Sequence, residues 1–80
     1  MQTSFPHLLT QTANRYRQRK RLRGGLVIFN AGIPTSWILA LGDPHKWQPG
    51  IAAIDEHGSH WIAWGVNPTD GAEFWRQTKS

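Results

Sequence analysis

The sequence predicts an α+β fold in which one N-terminal helix packs on an antiparallel sheet of four or five strands. Two observations carry this prediction. Apolar residues recur at helical spacing near the N-terminus, and short apolar runs separated by Gly and Pro fill the rest of the chain. Its 80 residues make one domain. The helix is expected over residues 6–23 and the sheet over residues 25–77.

The predicted helix divides into an apolar half and a basic half. Phe5, Leu9, Ala13 and Tyr16 recur at spacings of three and four residues, which places them on one face. Beyond Tyr16 that face carries basic residues, so residues 15–23 are expected to project from the core as a basic arm. The glycine pair that follows can adopt the left-handed conformation that ends helices.

The strands are predicted over residues 26–29, 35–41, 50–56 and 59–66, with a last strand or helical turn over residues 72–77. Two prolines make the segment between the second and third strands a loop, because proline cannot donate to a central ladder. A second cluster of turn residues precedes the last element.

The third and fourth strands are predicted to form a hairpin with a two-residue turn at His57 and Gly58. This register places Asp55 opposite His60, as a cross-strand ion pair. It also makes both faces of the hairpin apolar. One short helix covers one face, so the second must be covered by the loop and termini, by a second subunit or by a partner.

Composition narrows the class of protein. The chain has no cysteine, which excludes disulfides, zinc fingers and thiol chemistry. The first residues lack the features of a signal peptide, and no apolar run approaches the roughly 20 residues that cross a bilayer. We therefore expect a cytoplasmic protein that does not bind membranes and needs no cofactor.

Positive charge is concentrated in the first half of the chain. Residues 1–42 hold six basic and no acidic residues, whereas residues 43–80 hold three basic and five acidic ones. This polarity favours an anionic partner, such as nucleic acid, an acidic protein surface or anionic lipid. The alternative is a solvated helix that only keeps the protein soluble.

No set of acid, base and nucleophile can be assembled from the sequence, so no catalytic residue is predicted. Ser59 and His60 are neighbours on a strand, and their side chains point to opposite faces. The polar cluster around His57 does not supply the three or four convergent ligands of a metal site. We expect the protein to act by binding rather than by catalysis.

A basic helix beside an aromatic sheet is the general recipe for binding single-stranded nucleic acid. Trp47, in a polar loop between two prolines, is expected to be the most exposed tryptophan. For each tryptophan the alternative role is core packing. The candidate partner-binding residues are Arg15, Arg17, Arg19, Lys20, Arg21, Arg23, Trp47 and Trp61.

The turn pattern resembles short antirestriction proteins encoded on bacterial integrative elements. The matching features are the basic run ending in Gly24-Gly25 with the strand after it, Asp43-Pro44, Pro49-Gly50, Ala53 with Asp55, Gly58, Gly65, and Gly71-Ala72 with Trp75. The resemblance implies a phage or mobile-element protein that blunts host defence. A short cysteine-free binder also has the build of an anti-CRISPR protein.

Three functions follow as hypotheses. The first is an inhibitor of a host nucleic-acid-targeting defence complex, which would block access to target DNA. The second is a direct nucleic-acid-binding module that uses the basic arm and exposed aromatics. The third is a homodimeric interaction module, so the chain is expected to be a monomer or a homodimer.

Overall fold

The structure is a computed structural model that describes residues 5–78, without the side chains of residues 5–8 and 68. It confirms the α+β class: one N-terminal helix packs on a five-stranded antiparallel sheet. The elements are α1 (Phe5–Lys20), β1 (Leu26–Asn30), β2 (Ile33–Ile38), β3 (Ala52–Asp55), β4 (His60–Trp64) and β5 (Phe74–Thr78). Two short 3-10 turns, Pro44–Lys46 and Pro68–Asp70, interrupt the connections.

The sheet order β2-β1-β3-β4-β5 forces one connection to cross the sheet. Strands β2 and β3 both pair antiparallel with β1, so they run parallel to each other. The chain must then travel from one end of the sheet to the other through residues 39–51. This crossover passes over the face opposite α1, where Leu41, Trp47 and Ile51 pack on the sheet.

The sheet therefore has two differently covered faces. On the helix-side face, Ala13 of α1 packs with Val27, Phe29 and Ile54. On the loop-side face, the crossover covers a cluster that includes Ile28. Three alternatives were predicted for covering the face opposite the helix. The structure shows the first of them, because the chain's own loop covers that face.

The helix ends at Lys20, three residues before the predicted end. Leu22 N donates to the Arg17 carbonyl at 2.8 Å and Arg21 N to the Gln18 carbonyl at 3.2 Å, the two bonds of a Schellman motif. Arg21 takes the left-handed position of that motif, with φ of 58°. The expected glycine cap is therefore wrong: the chain turns at an arginine and reaches the two glycines afterwards.

The hairpin register differs from the predicted one by one residue. Ile54 pairs with His60, and Asp55 N donates to the Ser59 carbonyl, which leaves a three-residue loop. The Asp55 carboxylate causes the wider turn, because its Oδ1 accepts from the backbone N–H groups of His57 and Ser59, each at 2.9 Å. A one-residue slip moves side chains to the other face. Asp55 and His60 now lie on opposite faces, so the predicted ion pair is wrong.

The remaining boundaries follow from turn chemistry. The second strand ends at Ile38 rather than residue 41, and the last element is a strand. Asp43 and Asn67 each accept a backbone N–H two residues on, which starts the two 3-10 turns. Among residues 5–78, no helix has the length and apolar character that crossing a bilayer requires.

Candidate binding surface

Arg17 belongs to the interior, although the sequence placed it among the partner-binding residues. Its side chain is 5% exposed. The guanidinium donates to the carbonyls of Gly24, Gly25 and Ile54 at 3.0, 3.2 and 2.7 Å, and to Asn14 Oδ1 at 3.0 Å. Arg17 thus ties the end of α1 to the following turn and to β3, and its donors are engaged inside the domain.

The turn after α1 is held from the other side by Trp37. Its indole Nε1 donates to the Gly24 carbonyl at 2.9 Å, so this oxygen accepts from both Trp37 and Arg17. Gly25 packs so closely on β2 that an added Cβ would lie 2.5 Å from the Ile38 carbonyl oxygen. The prediction that residues 15–23 project from the core is therefore wrong, because the end of α1 and the turn after it are hydrogen-bonded to the sheet.

The other predicted cations are exposed on this anchored corner. We call them the cationic surface: Arg15, Arg19, Lys20, Arg21 and Arg23. Arg15 and Arg19 are four residues apart and lie on the same side of α1, away from Ala13. The Lys20 ammonium lies 5.8 Å from the centre of the Tyr16 ring. These charges are displayed on a fixed scaffold, which limits the ordering entropy lost on binding.

The electrostatics of this corner combine a buried cation with two nearby acids. Burial lowers the pKa of Arg17, and the charges of Glu56 and Asp55 oppose that effect. Glu56 borders the cationic surface, since a Cβ on Gly24 would lie 3.4 Å from its Oε1. The positive field is therefore strongest away from the β3–β4 turn, over the outer side of α1.

The two predicted tryptophans lie on the loop-side face. Trp47 is half-buried, and its ring centre lies 6.5 Å from that of Trp75 in a tilted arrangement. Trp61 packs on the buried cluster around Leu26 and also lines an open cleft of about 370 Å³. Neither joins the cationic surface, because the sheet separates them from α1.

Among the described side chains, the exposed aromatics are instead Trp64 and Phe74, and neither is one of the predicted partner-binding residues. They are directly paired across β4 and β5, with ring centres 5.5 Å apart and planes inclined by 28°. Trp64 is 40% exposed and Phe74 is 45% exposed. Both lie on the helix-side face, as His60 does, because alternate residues of a strand share a face. The alternation of side chains along β4 was the available signal for this placement. Its use required the correct hairpin register.

His60 connects this part of the sheet to α1. It is buried on β4, and its Nε2 lies 2.9 Å from the Thr10 hydroxyl. Burial lowers the pKa of His60, against the opposing charge of Asp55. His60 therefore acts as a neutral packing and hydrogen-bonding residue between helix and sheet.

The polar cluster of the β3–β4 hairpin is dispersed by the fold. His57 lies exposed in the turn, His60 lies on the helix side and Asp55 on the loop side. Among the side chains that the structure describes, no three His, Asp or Glu residues converge as metal ligands. The turn is explained by the backbone hydrogen bonds of Asp55 alone.

Comparison with known proteins finds no match to a protein-family model, a curated protein or a solved structure.

Proposed function

We propose that this chain acts by binding an anionic partner through the cationic surface. The observation that carries the proposal is the exposure of five cations on a corner that buried Arg17 fixes to the sheet. Arginine predominates among them, and its planar group suits carboxylate and phosphate partners. A fixed array of like charges favours electrostatic complementarity with an opposite surface.

We further propose that the partner is a host nucleic-acid-targeting defence complex, such as a CRISPR surveillance complex or a restriction enzyme. The pattern resemblance to antirestriction proteins supports this choice. Such complexes present acidic protein surfaces or a guide-RNA backbone that the cationic surface can contact. A protein seated there blocks target DNA by occupying its binding channel.

The test is co-elution with a purified interference complex or restriction enzyme, followed by a DNA-cleavage assay. We expect a stable complex and reduced cleavage with the wild-type chain. The variant Arg15→Gln/Arg19→Gln should weaken both effects. Lys46→Glu is the matched control, because it lowers the net charge by the same amount at an exposed site in the crossover.

The absence of a complex with either effector, together with undiminished interference in cells, contradicts the defence-inhibitor proposal. Equal weakening by Lys46→Glu and by Arg15→Gln/Arg19→Gln contradicts the role of the cationic surface. That result would show that only the net charge matters.

A further inference from the structure

The pair formed by Trp64 and Phe74 lies on a part of the sheet that α1 leaves open. The helix packs mainly on β3, β1 and β2, and it reaches β4 through Thr10. The two stacked rings keep close to half of their surface in water. The matching aromatics on the loop-side face are packed beneath the crossover. An exposed pair of large rings marks an interaction site more often than an isolated apolar residue does.

A cation lies on the same face as the aromatic pair. Arg76 is exposed and pairs with Ile62 across β4 and β5. It is two residues from Phe74, so their Cα atoms are about 7 Å apart on one face. We call Trp64, Phe74 and Arg76 the aromatic platform. An exposed pair of stacked rings beside a guanidinium matches a flat ring that carries an anionic group.

None of the acidic residues occupies a strand position on this face. Asp55 is on the loop-side face, and Glu56 is in the β3–β4 turn. Asp43 and Asp70 lie at the 3-10 turns, and Glu73 precedes β5. Between residues 26 and 78, the strand positions of the helix-side face include no acidic residue. The side of the molecule that carries α1 is therefore cationic and partly aromatic.

We propose that the aromatic platform takes an unpaired nucleobase, with Arg76 contacting its phosphate. The partner is then single-stranded nucleic acid, free or held within a larger complex. Stacking on aromatic rings and backbone contacts to basic residues are the two components of such binding. This inference rests on the proposed function, because the cationic surface supplies further phosphate contacts on the same side of the sheet.

A second copy of the chain fits less well as an added strand at this edge. Strand β5 is a sheet edge, and pairing two copies of Phe74–Thr78 in full register about a two-fold axis places Arg76 opposite its own copy. Like charges directly opposite each other destabilise a strand pair. Charge complementarity thus favours a polyanion over a homodimer paired along β5 in this register.

The test is fluorescence anisotropy with a labelled oligothymidine of about 15 nucleotides, near the upper end of a typical site size. An abasic strand of the same length is the matched ligand, because it keeps the phosphates and lacks the bases. Trp64→Ala should weaken binding of the oligothymidine by about tenfold or more, since one base stack contributes on that order. It should leave binding of the abasic strand unchanged.

Two further variants separate stacking from folding. Trp64→Phe keeps an aromatic ring and should bind within about threefold of wild type. Phe74→Leu keeps an apolar side chain. It should weaken binding of the oligothymidine but not of the abasic strand, as Trp64→Ala does. Arg15→Gln/Arg19→Gln should weaken binding of both strands, because it removes phosphate contacts only.

Any other outcome contradicts the proposal that the aromatic platform binds a nucleobase. If Trp64→Ala binds the oligothymidine as wild type does while Arg15→Gln/Arg19→Gln weakens it, the cationic surface stands and the platform fails. If wild type binds no strand at about 50 mM salt, where electrostatic binding is strong, the platform also fails. The co-elution test then decides the proposed function. If light scattering shows a dimer that Trp64→Ala dissociates, the platform binds a second copy of the chain instead of a nucleobase.

Discussion

The two faces of the sheet are both apolar, but they are covered in different ways. The crossover spreads Leu41, Trp47 and Ile51 over the loop-side face. The helix-side face receives a single helix, which is fixed at one corner by Arg17 and leaves Trp64 and Phe74 open at another. A chain this small therefore completes one face with its own loop and leaves part of the other exposed.

The largest effect is expected where the helix is fixed to the sheet. Arg17→Met removes hydrogen bonds to three backbone carbonyls, including the buried bond to the Ile54 carbonyl, while the Gly24 carbonyl keeps its bond from Trp37. We expect the free energy of unfolding to fall by about 3–4 kcal/mol, since bonds to charged groups contribute more than neutral ones. Urea unfolding measures the change. Arg19→Met, at an exposed site of the same helix, should change it by less than about 0.5 kcal/mol. Equal effects would show that Arg17 does not anchor α1.

The comparison of the two faces is tested directly by truncating one tryptophan on each. Trp75→Ala removes a ring packed against Trp47 and a hydrogen bond from its Nε1 to the Gly42 carbonyl. We expect a loss of about 3 kcal/mol in the free energy of unfolding, in the range for large core truncations. Trp64→Ala should cost about 1 kcal/mol, as is typical of partly exposed sites. A larger loss for Trp64→Ala in thermal or urea unfolding would reverse the assignment of covered and open faces.

A smaller effect is expected at the turn that follows α1. Gly25→Ala places a methyl group against the Ile38 carbonyl and the Trp37 ring, at a residue with φ of 63°. We expect a loss of about 2–3 kcal/mol, from steric contact added to left-handed strain. Gly32→Ala is the control: its φ is also positive, and an added Cβ would have no heavy atom within 4 Å. That variant should lose about 1 kcal/mol, from the backbone alone. If both lose the same amount, close packing at Gly25 is not required.

The smallest effect is a pH dependence that arises from His60. The unfolded chain takes up a proton near the ordinary histidine pKa of 6.5, whereas burial lowers the pKa of His60 in the folded chain. The unfolded state then binds more protons as the pH falls below that value, so stability decreases. Above it, the contribution of His60 is fully present. Unfolding experiments at about pH 7.5 and about pH 5 should show the decrease in wild type and a smaller one in His60→Gln. An identical decrease in both would exclude His60 as its source.

Much of the fold could be predicted because local patterns agree with it. The spacing of Leu9, Ala13 and Tyr16 predicted the packed side of α1, and the apolar runs predicted the strands. The hairpin register could not be obtained from Gly58 alone. It depends on the Asp55 carboxylate, which accepts two backbone N–H groups and widens the turn.

The candidate site was only partly predictable, because exposure depends on tertiary packing. The basic run correctly indicated a group of surface cations, but Arg17 follows Ala13 by one helical turn and so continues the inward side. The roles of the tryptophans were set by the crossover, which half-buries Trp47 and leaves Trp64 open. No local pattern fixes which face a crossover takes.

Binding by the helix-side face can be tested with an NMR titration of backbone and indole N–H groups against single-stranded oligonucleotide. Binding by the helix-side face predicts shift changes at residues 15–23 and at the aromatic platform. The indole N–H signals of the loop-side residues Trp47, Trp61 and Trp75 should remain unchanged. Changes concentrated around those three tryptophans, or no change at about 50 mM salt, where polyanion binding is strong, would contradict binding by the helix-side face.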